Sequence, residues 1–178
     1  MSDTTIPSLS VFRLGKSIDF AVAGVKAMQV QDKILRLLIV LRRATYVIYY
    51  FIDQFTWAAR VGLYKSNPKE WSKFQARFWF TGLILGVLRN LYDWIVLLSG
   101  IKEKVEPDEE TNQSVACRIA QRPDVVVDSV KNAADFLLPL NVMGYVKLNT
   151  GLAGLLGLIS SLCGVIAVWN PKLKLKPS

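Results

Sequence analysis

The stretch LNTGLAGLLGLISSLCGVIAVWNP, residues 148–171, decides the class of fold because its 24 residues include no charged side chain. At 1.5 Å per helical residue it reaches about 36 Å, enough to cross a hydrocarbon core of about 30 Å. Its ten Leu, Ile and Val residues favour insertion by about 3–6 kcal/mol. Trp169 stands at the end of the run, where an interfacial aromatic is expected, and a lysine-rich tail follows at 172–178. The sequence therefore predicts a transmembrane helix over 148–171, in preference to the buried core helix of a soluble protein.

Small residues recur along this predicted span at a spacing that suits helix packing. Ala153, Gly157 and Ser161 form one row four residues apart, and Ser160 with Gly164 forms a second. Rows of small side chains let helix backbones approach closely in lipid. The rows predict helix–helix association and a homo-oligomer.

The segment 11–64 is predicted to be a basic amphipathic helical region that follows a disordered stretch at 1–10. Between Gly15 and Met28 the apolar residues stand three or four apart, which is helical periodicity. Beyond it, apolar residues wrap most of the helix and cations crowd one side, a pattern that suits the boundary between acyl chains and anionic headgroups. The alternative is a helix in a bundle with a solvated basic face. The residues assigned to membrane binding are Lys26, Lys33, Leu35, Arg36, Leu38, Leu41, Arg42 and Arg43.

Gly62 and the 65–69 sequence end this region, since Pro68 cannot continue a helix, and a second apolar segment is predicted at 70–100. Arg89 and Asp93 interrupt it at i,i+4 spacing on one face. A clean span carries about 20 apolar residues without charges, so a full crossing and an in-plane or bundle-buried helix both stay open. An acidic linker at 101–124 and a short amphipathic helix within 125–147, stopped by Pro139, are predicted to follow.

The composition limits the classes of function that the sequence supports. The chain is 52% hydrophobic with a formal net charge of +8, and it contains no histidine and only two cysteines. A basic and apolar chain suits an anionic membrane or a nucleic acid, but no nucleic-acid-binding motif is present. Without histidine, and with its two cysteines far apart, the sequence offers no metal site, and it has no phosphate-binding glycine loop. We therefore predict an all-α protein with amphipathic membrane-interface helices and at least one C-terminal transmembrane helix, without enzymatic activity or cofactor.

Three blocks of the sequence resemble the peroxin-11 family. FRLGKSIDF and LRLLIVLRRATYVIYYFIDQFTWAARVGL resemble its basic amphipathic region, and WSKFQARFWFTGLILGVLRNLYD resembles the block that follows. DSVKNAADFLLPLNVMGYVKLNTGLAGLLGLISSLCGVIAVWNPKLKLKP is similar to the C-terminal block almost throughout, and this is the most specific match. The resemblance covers about residues 11–178, apart from the 102–118 linker. Family members usually begin further upstream, so the chain is expected to be short at its N-terminus.

The resemblance implies a peroxisomal membrane protein, single- or multi-pass, with a cytosolic C-terminal tail. It implies membrane elongation, peroxisome proliferation and fission through amphipathic-helix insertion and self-association. The implied partners are anionic phospholipid, further copies of the chain, the import receptor for peroxisomal membrane proteins and the dynamin-related fission machinery. Two alternatives stay open: a channel-like pore for small metabolites, and an adaptor that recruits fission factors without bending lipid.

Overall fold

A computed structural model describes residues 8–60, 62–63, 67–99, 119–173 and 175. Its regular elements, in chain order, are α1 (Ser8–Ala27), α2 (Lys33–Arg60), α3 (Pro68–Ser99), α4 (Pro123–Met143), α5 (Thr150–Trp169) and a 3-10 turn (Pro171–Leu173). No strand occurs among these residues. The prediction of an all-α fold is confirmed, while most of the predicted acidic linker lies outside the described residues.

The helices begin where the sequence supplies partners for free backbone N–H groups. The Asp32 carboxylate accepts a hydrogen bond from the Ile34 amide at 3.0 Å, in the break between α1 and α2. The Asn149 side chain accepts from the Gly151 amide at 3.3 Å, so it caps α5. Pro68 is the first residue of α3, a position that requires no intrahelical N–H. Helix α2 ends well before this proline, at Arg60, where Gly62 has a positive φ of 81° and the Leu63 N–H donates to the Ala58 carbonyl at 3.0 Å.

The predicted stop at Pro139 is wrong. Helix α4 continues through Pro139 to Met143 and ends at Gly144, whose positive φ of 87° is the left-handed conformation common after helices. The Gly144 N–H donates to the Asn141 carbonyl at 3.1 Å. Pro139 is fully buried, and this packing offsets the single backbone hydrogen bond that proline removes from the helix.

Two predicted boundaries also move. Helix α1 begins at Ser8, inside the stretch 1–10 that composition suggested was disordered, because serine favours helix starts and tolerates the first turn. Helix α4 begins at Pro123, inside the predicted 101–124 linker. There the Arg122 guanidinium pairs with the Asp124 carboxylate at 2.9 Å, and the acidic side chain suits the first turn of a helix.

Helices α2 and α3 form an antiparallel hairpin. Tyr46 lies against Gly82 near one end of the interface, and the Gln75 amide donates to the Asp53 carboxylate at 2.8 Å near the other. A Cβ added at Gly82 would lie 3.2 Å from the Tyr46 ring. Residue numbers rise along one helix as they fall along the other, which is the pairing expected for helices joined by a short connection.

Each helix packs on its neighbours in the chain, so the five helices form an open array rather than a closed bundle. The array is curved, because Phe20 of α1 and Val168 of α5 line the same cleft. Helices α2, α3 and α4 supply the rest of its walls. The curvature gives the protein an outer side and an inner side, and the chemistry of the two sides differs.

Candidate membrane-binding surface and polar interior

The outer side of α2 is an apolar stripe. Its residues are separated alternately by three and four positions, so they lie in one row along the helix. All of them are exposed: Ile34, Leu37, Leu41, Ala44, Ile48, Phe51 and Phe55. From the first to the last residue the stripe runs about 32 Å.

The neighbouring helices carry matching rows. On α3 the exposed large apolar residues are Phe74, Ile84, Leu88, Leu91, Ile95 and Leu98, and on α1 they are Ile18, Val22 and Val25. We call these two sets, together with the α2 stripe, the outer apolar surface. Exposed apolar area of this extent marks contact with a membrane or with another protein.

Helix α5 is the most exposed element. It lies at the edge of the array and packs on α4 and the 3-10 turn, and Ser160 is its one buried residue. Val168 and Trp169 are 83% and 87% exposed. The helix is 20 residues long, about 30 Å, which matches the hydrocarbon thickness of a bilayer.

The inner side holds buried polar groups. Arg42 of α2 reaches across α3 to α4, where it donates to the Asn132 side-chain oxygen at 3.0 Å and lies 3.5 Å from the Asp128 carboxylate. Asn132 in turn donates to Asp128 at 2.8 Å. The Asn90 amide, oriented with its nitrogen toward Asp128, completes this set at 3.1 Å. We call Arg42, Asn90, Asp128 and Asn132 the polar network.

A second buried pair lies beside the network on α3. The Arg89 guanidinium is 3.7 Å from the Asp93 carboxylate, and both side chains are almost fully buried. The predicted i,i+4 pairing is therefore confirmed. On α4, burial raises the pKa of Asp135, although a hydrogen bond from Ser160 of α5 partly opposes the shift. The interior thus contains paired charged groups beside its apolar core, while many large apolar groups lie on the exterior.

Buried charges together with exposed apolar rows are unusual in a water-soluble protein. In membranes, ionisable residues face the bundle interior and pair with one another, while apolar side chains meet lipid. Two helices, Lys69–Ser99 and Thr150–Trp169, are long and apolar enough to cross a bilayer. A crossing by the first remained open from sequence, and its length and composition now allow one.

The structure places the predicted basic membrane-binding residues in different environments. Lys26 and Lys33 are exposed, close to the connection between α1 and α2. Arg36 is half-buried. Arg42 and Arg43 point inward, since Arg42 belongs to the polar network and the Arg43 guanidinium lies 5.1 Å from the Phe20 ring centre. Arg43, which was predicted to share one side with Lys26, Lys33 and Arg36, instead turns inward with Arg42.

The predicted apolar contacts change as well. Leu41 belongs to the outer apolar surface, whereas Leu38 is half-buried. Leu35 is 0% exposed and packs with Ala27 and Ile39 in the core. Leu35 therefore cannot meet lipid in this conformation. Apolar residues wrap most of α2, and the side covered by α1 and α3 becomes the core.

The small residues of α5 differ in whether they pack against the rest of the described chain. Ser160 is buried and bonds Asp135, and Gly164 lines the cleft. Ser161 is exposed, Ala153 is partly buried, and a Cβ added at Gly157 would meet no atom within 4 Å. The predicted row Ala153–Gly157–Ser161 is thus not needed for packing between the described helices, and self-association through it stays a prediction.

Sequence reasoning missed the glycines on which packing within the chain depends. A Cβ at Gly86 would lie 2.8 Å from the Arg42 guanidinium carbon, so Arg42 crosses α3 only because residue 86 has no side chain. Gly82 likewise leaves room for the Tyr46 ring, because it has no side chain. The four-residue spacing of Gly82 and Gly86 is a signal in the sequence that could have identified this crossing point.

An α-helical array with an apolar exterior, a polar interior and two helices of spanning length defines an integral membrane protein. The chain matches the family model described as Peroxisomal biogenesis factor 11 (PEX11) over residues 10–169. The chain therefore belongs to the PEX11 family, as its sequence resemblance indicated. Membership assigns it to the peroxisomal membrane and to peroxisome biogenesis, which includes the proliferation and division of the organelle.

Curated relatives agree with this assignment. The chain is 36% identical to mouse Peroxisomal membrane protein 11A and 32% identical to the human protein of that name, with 93% of this chain and 76% of each relative aligned. It is 25% identical to bovine Peroxisomal membrane protein 11B, over 94% of this chain and 78% of the relative. The chain spans about three quarters of the length of these relatives. No solved structure matches it.

Proposed function

We propose that this protein elongates and remodels the peroxisomal membrane ahead of division, by inserting its outer apolar surface into lipid and by self-association. The observation that carries the proposal is the combination of exposed apolar rows with a buried polar network. Such an exterior is unfavourable in water and favourable among acyl chains. The role is non-enzymatic.

The α2 stripe supplies the wedge. Its exposed leucines, isoleucines and phenylalanines enter the acyl boundary along about 32 Å of helix. Lys26 and Lys33, both exposed, lie where they attract anionic headgroups, each by about 1 kcal/mol. An inserted helix expands one leaflet relative to the other, and this asymmetry favours positive curvature.

Helix α5 supplies the anchor. Burying a large apolar side chain stabilises by about 1.5–3 kcal/mol relative to full exposure. The eight large apolar residues that are exposed along α5 are about half to almost fully uncovered, so moving them into lipid contributes on the order of 10 kcal/mol. This favours stable anchoring over transient binding, with the tail beyond residue 171 on the cytosolic side.

Self-association concentrates many weak wedges. The Ala153–Gly157–Ser161 row is free of steric conflict within the described chain, so a second copy of α5 can approach its backbone closely. Recognition by the import receptor and recruitment of the dynamin-related fission GTPase complete the proposed role. These partners follow from the family resemblance and are part of the proposal.

Reconstitution of the full chain into vesicles tests the wedge. Leu37 and Leu41 both belong to the outer apolar surface, so changing both to Glu places two charges among acyl chains. We expect the unmodified chain to draw spherical vesicles into tubules, and the double Glu variant to lose this activity while α5 keeps it membrane-bound. Electron microscopy measures vesicle shape, and flotation measures binding.

The matched control changes the same leucines to Phe, which preserves their apolar character and should preserve tubulation. Equal tubulation by the Glu and Phe variants would contradict insertion of this stripe. Leak of a small solute, without any change in vesicle shape, would instead favour the channel function. Binding with neither leak nor deformation would favour the adaptor.

A further inference from the structure

The inner side of the array contains a cleft of about 440 Å³, a volume within the usual range for small-molecule sites. Its polar wall comes from α2, α3 and α4. Its apolar wall comes from the end of α5 and the segment after it, through Ala167, Val168, Leu173 and Leu175. The cleft therefore presents charge on one side and hydrocarbon on the other.

Among the residues that the structure describes, the charges that face the cleft do not balance. Four cations line it, namely Arg42, Arg43, Arg89 and Lys131, against two carboxylates, Asp128 and Asp135. A third carboxylate, Asp93, pairs with Arg89. One positive charge is left over, and more than one wherever Asp135 is protonated.

Among the described residues, Arg43 and Lys131 are the two cleft cations that form no ion pair. Arg42 pairs with Asp128, whereas in the described part of the chain no carboxylate forms an ion pair with Arg43. The Arg43 guanidinium lies over the Phe20 ring, at 5.1 Å from its centre. Burial lowers the pKa of Arg43, and the neighbouring Arg42 lowers it further. An anion beside Arg43 would relieve both effects.

With α5 as the membrane anchor proposed above, the apolar wall lies at the depth of a lipid headgroup. Cys163, Gly164, Ala167 and Val168 all belong to the second half of α5. That end of the candidate span carries Trp169, followed by Lys172, and such residues mark the membrane–water boundary. A ligand in this cleft can therefore place its charge beside Arg43 and its chain along α5.

We propose that the cleft binds one anionic phospholipid, with the phosphodiester between Arg43 and Lys131 and an acyl chain along the end of α5. A phosphodiester carries one negative charge, which matches the surplus. A nucleoside triphosphate carries several, and the cleft does not balance them. The proposal does not depend on membrane deformation, because a protein that bends no membrane can still hold one lipid.

Native mass spectrometry of the full chain in detergent tests the proposal, with palmitoyl-oleoyl phosphatidylglycerol as the anionic probe and phosphatidylcholine as the neutral one. We expect one phosphatidylglycerol per chain, bound at least tenfold more tightly than phosphatidylcholine. Arg43→Gln should lower that affinity at least tenfold, and Arg43→Lys should retain most of it. Arg77→Gln, which removes an exposed arginine of α3 outside the cleft, should leave it unchanged.

A steric pair of variants gives an independent readout. Gly164 lines the cleft and Gly154 does not, and a Cβ at either position meets no atom within 4 Å. Gly164→Phe should therefore fill the cleft and abolish lipid retention, while Gly154→Phe should not. Circular dichroism verifies that both variants stay helical, so a loss of binding is attributable to the cleft.

The outcomes separate the possible anions. Equal retention of phosphatidylglycerol by Gly164→Phe and Gly154→Phe overturns the site, and equal binding of both lipids overturns the charge requirement. Tight binding of glycerophosphoglycerol, which has the headgroup without acyl chains, overturns a lipid ligand in favour of a soluble phosphodiester. An Arg77→Gln loss as large as that of Arg43→Gln shows general surface attraction and overturns the cleft. Vesicle tubulation is measured separately, so failure here is distinguishable from failure of the remodelling function.

Discussion

The substitution Gly86→Ala tests the path by which Arg42 crosses α3. An alanine Cβ would lie 2.8 Å from the guanidinium carbon of Arg42, 3.0 Å from Nη2 and 3.1 Å from Nε. Atoms do not approach this closely without displacement, and the displaced group is the one that binds Asn132 and Asp128. The substitution should therefore open the polar network.

The expected change in the free energy of unfolding follows from the buried groups that lose Arg42 as a partner. Asn132 is 1% exposed, and a buried acceptor that loses its donor costs about 1–3 kcal/mol. Replacing a helical Gly by Ala by itself stabilises the folded state by about 0.5–1 kcal/mol, because Ala loses less backbone entropy on folding. Gly86→Ala should therefore lower the free energy of unfolding by up to about 2 kcal/mol.

Gly154→Ala is the matched control, because an added Cβ there meets no atom within 4 Å. It gains the same backbone entropy without the conflict, so the two variants should differ by the full penalty of about 1–3 kcal/mol. Denaturant titration of the full chain in micelles, followed by circular dichroism, measures both.

Introducing the same glycine variants into an Arg42→Ala protein tests whether Arg42 causes the difference between them. Without the guanidinium, Gly86→Ala should behave like Gly154→Ala, and the double-mutant cycle should return a coupling of about 1–3 kcal/mol. If Gly86→Ala and Gly154→Ala have the same effect in the unmodified chain, the reasoning about Arg42 is refuted.

Three further predictions concern the anchor, self-association and pH. Deleting 148–171 should make the protein extractable by alkaline carbonate, whereas continued resistance would identify α3 as a second anchor. Gly157→Leu should reduce cross-linked oligomers without affecting insertion, and unchanged cross-linking would remove the small-residue row from the interface. Because burial raises the pKa of Asp135, stability should fall as pH rises from its ordinary value of 3.8. Asp135→Asn should abolish that fall, and a persistent slope would assign it to another group.

Part of the fold follows from local sequence. The span over 148–171 was predictable because hydrophobicity and length suffice for insertion, whatever the helix contacts. The pairing of Arg89 with Asp93 was predictable because i,i+4 neighbours on any helix share a face. The break before α3 was predictable because proline at position 68 restricts the backbone locally.

The inner and outer sides of α2 were beyond prediction from one sequence. Apolar residues cover most of its circumference, so periodicity does not distinguish Leu35, which is buried, from Leu37, which is exposed. The choice depends on where α1 and α3 pack. Composition likewise could not show that α4 continues past Pro139, since a buried site offsets its lost hydrogen bond.

The polar network and the cleft exist only in the tertiary structure. Arg42 and Asn132 are 90 residues apart in the chain, and they meet because Gly86 leaves room for the arginine to cross α3. In the sequence, Arg42 and Arg43 are two cations among several. Nothing in the neighbouring sequence shows that Arg42, and not Arg43, forms an ion pair. The sequence determined that this protein belongs in a membrane, because transfer into lipid depends on composition and length. Which charges it buries together was decided by helix packing, because pairing a charge requires a partner that only the folded chain brings within reach.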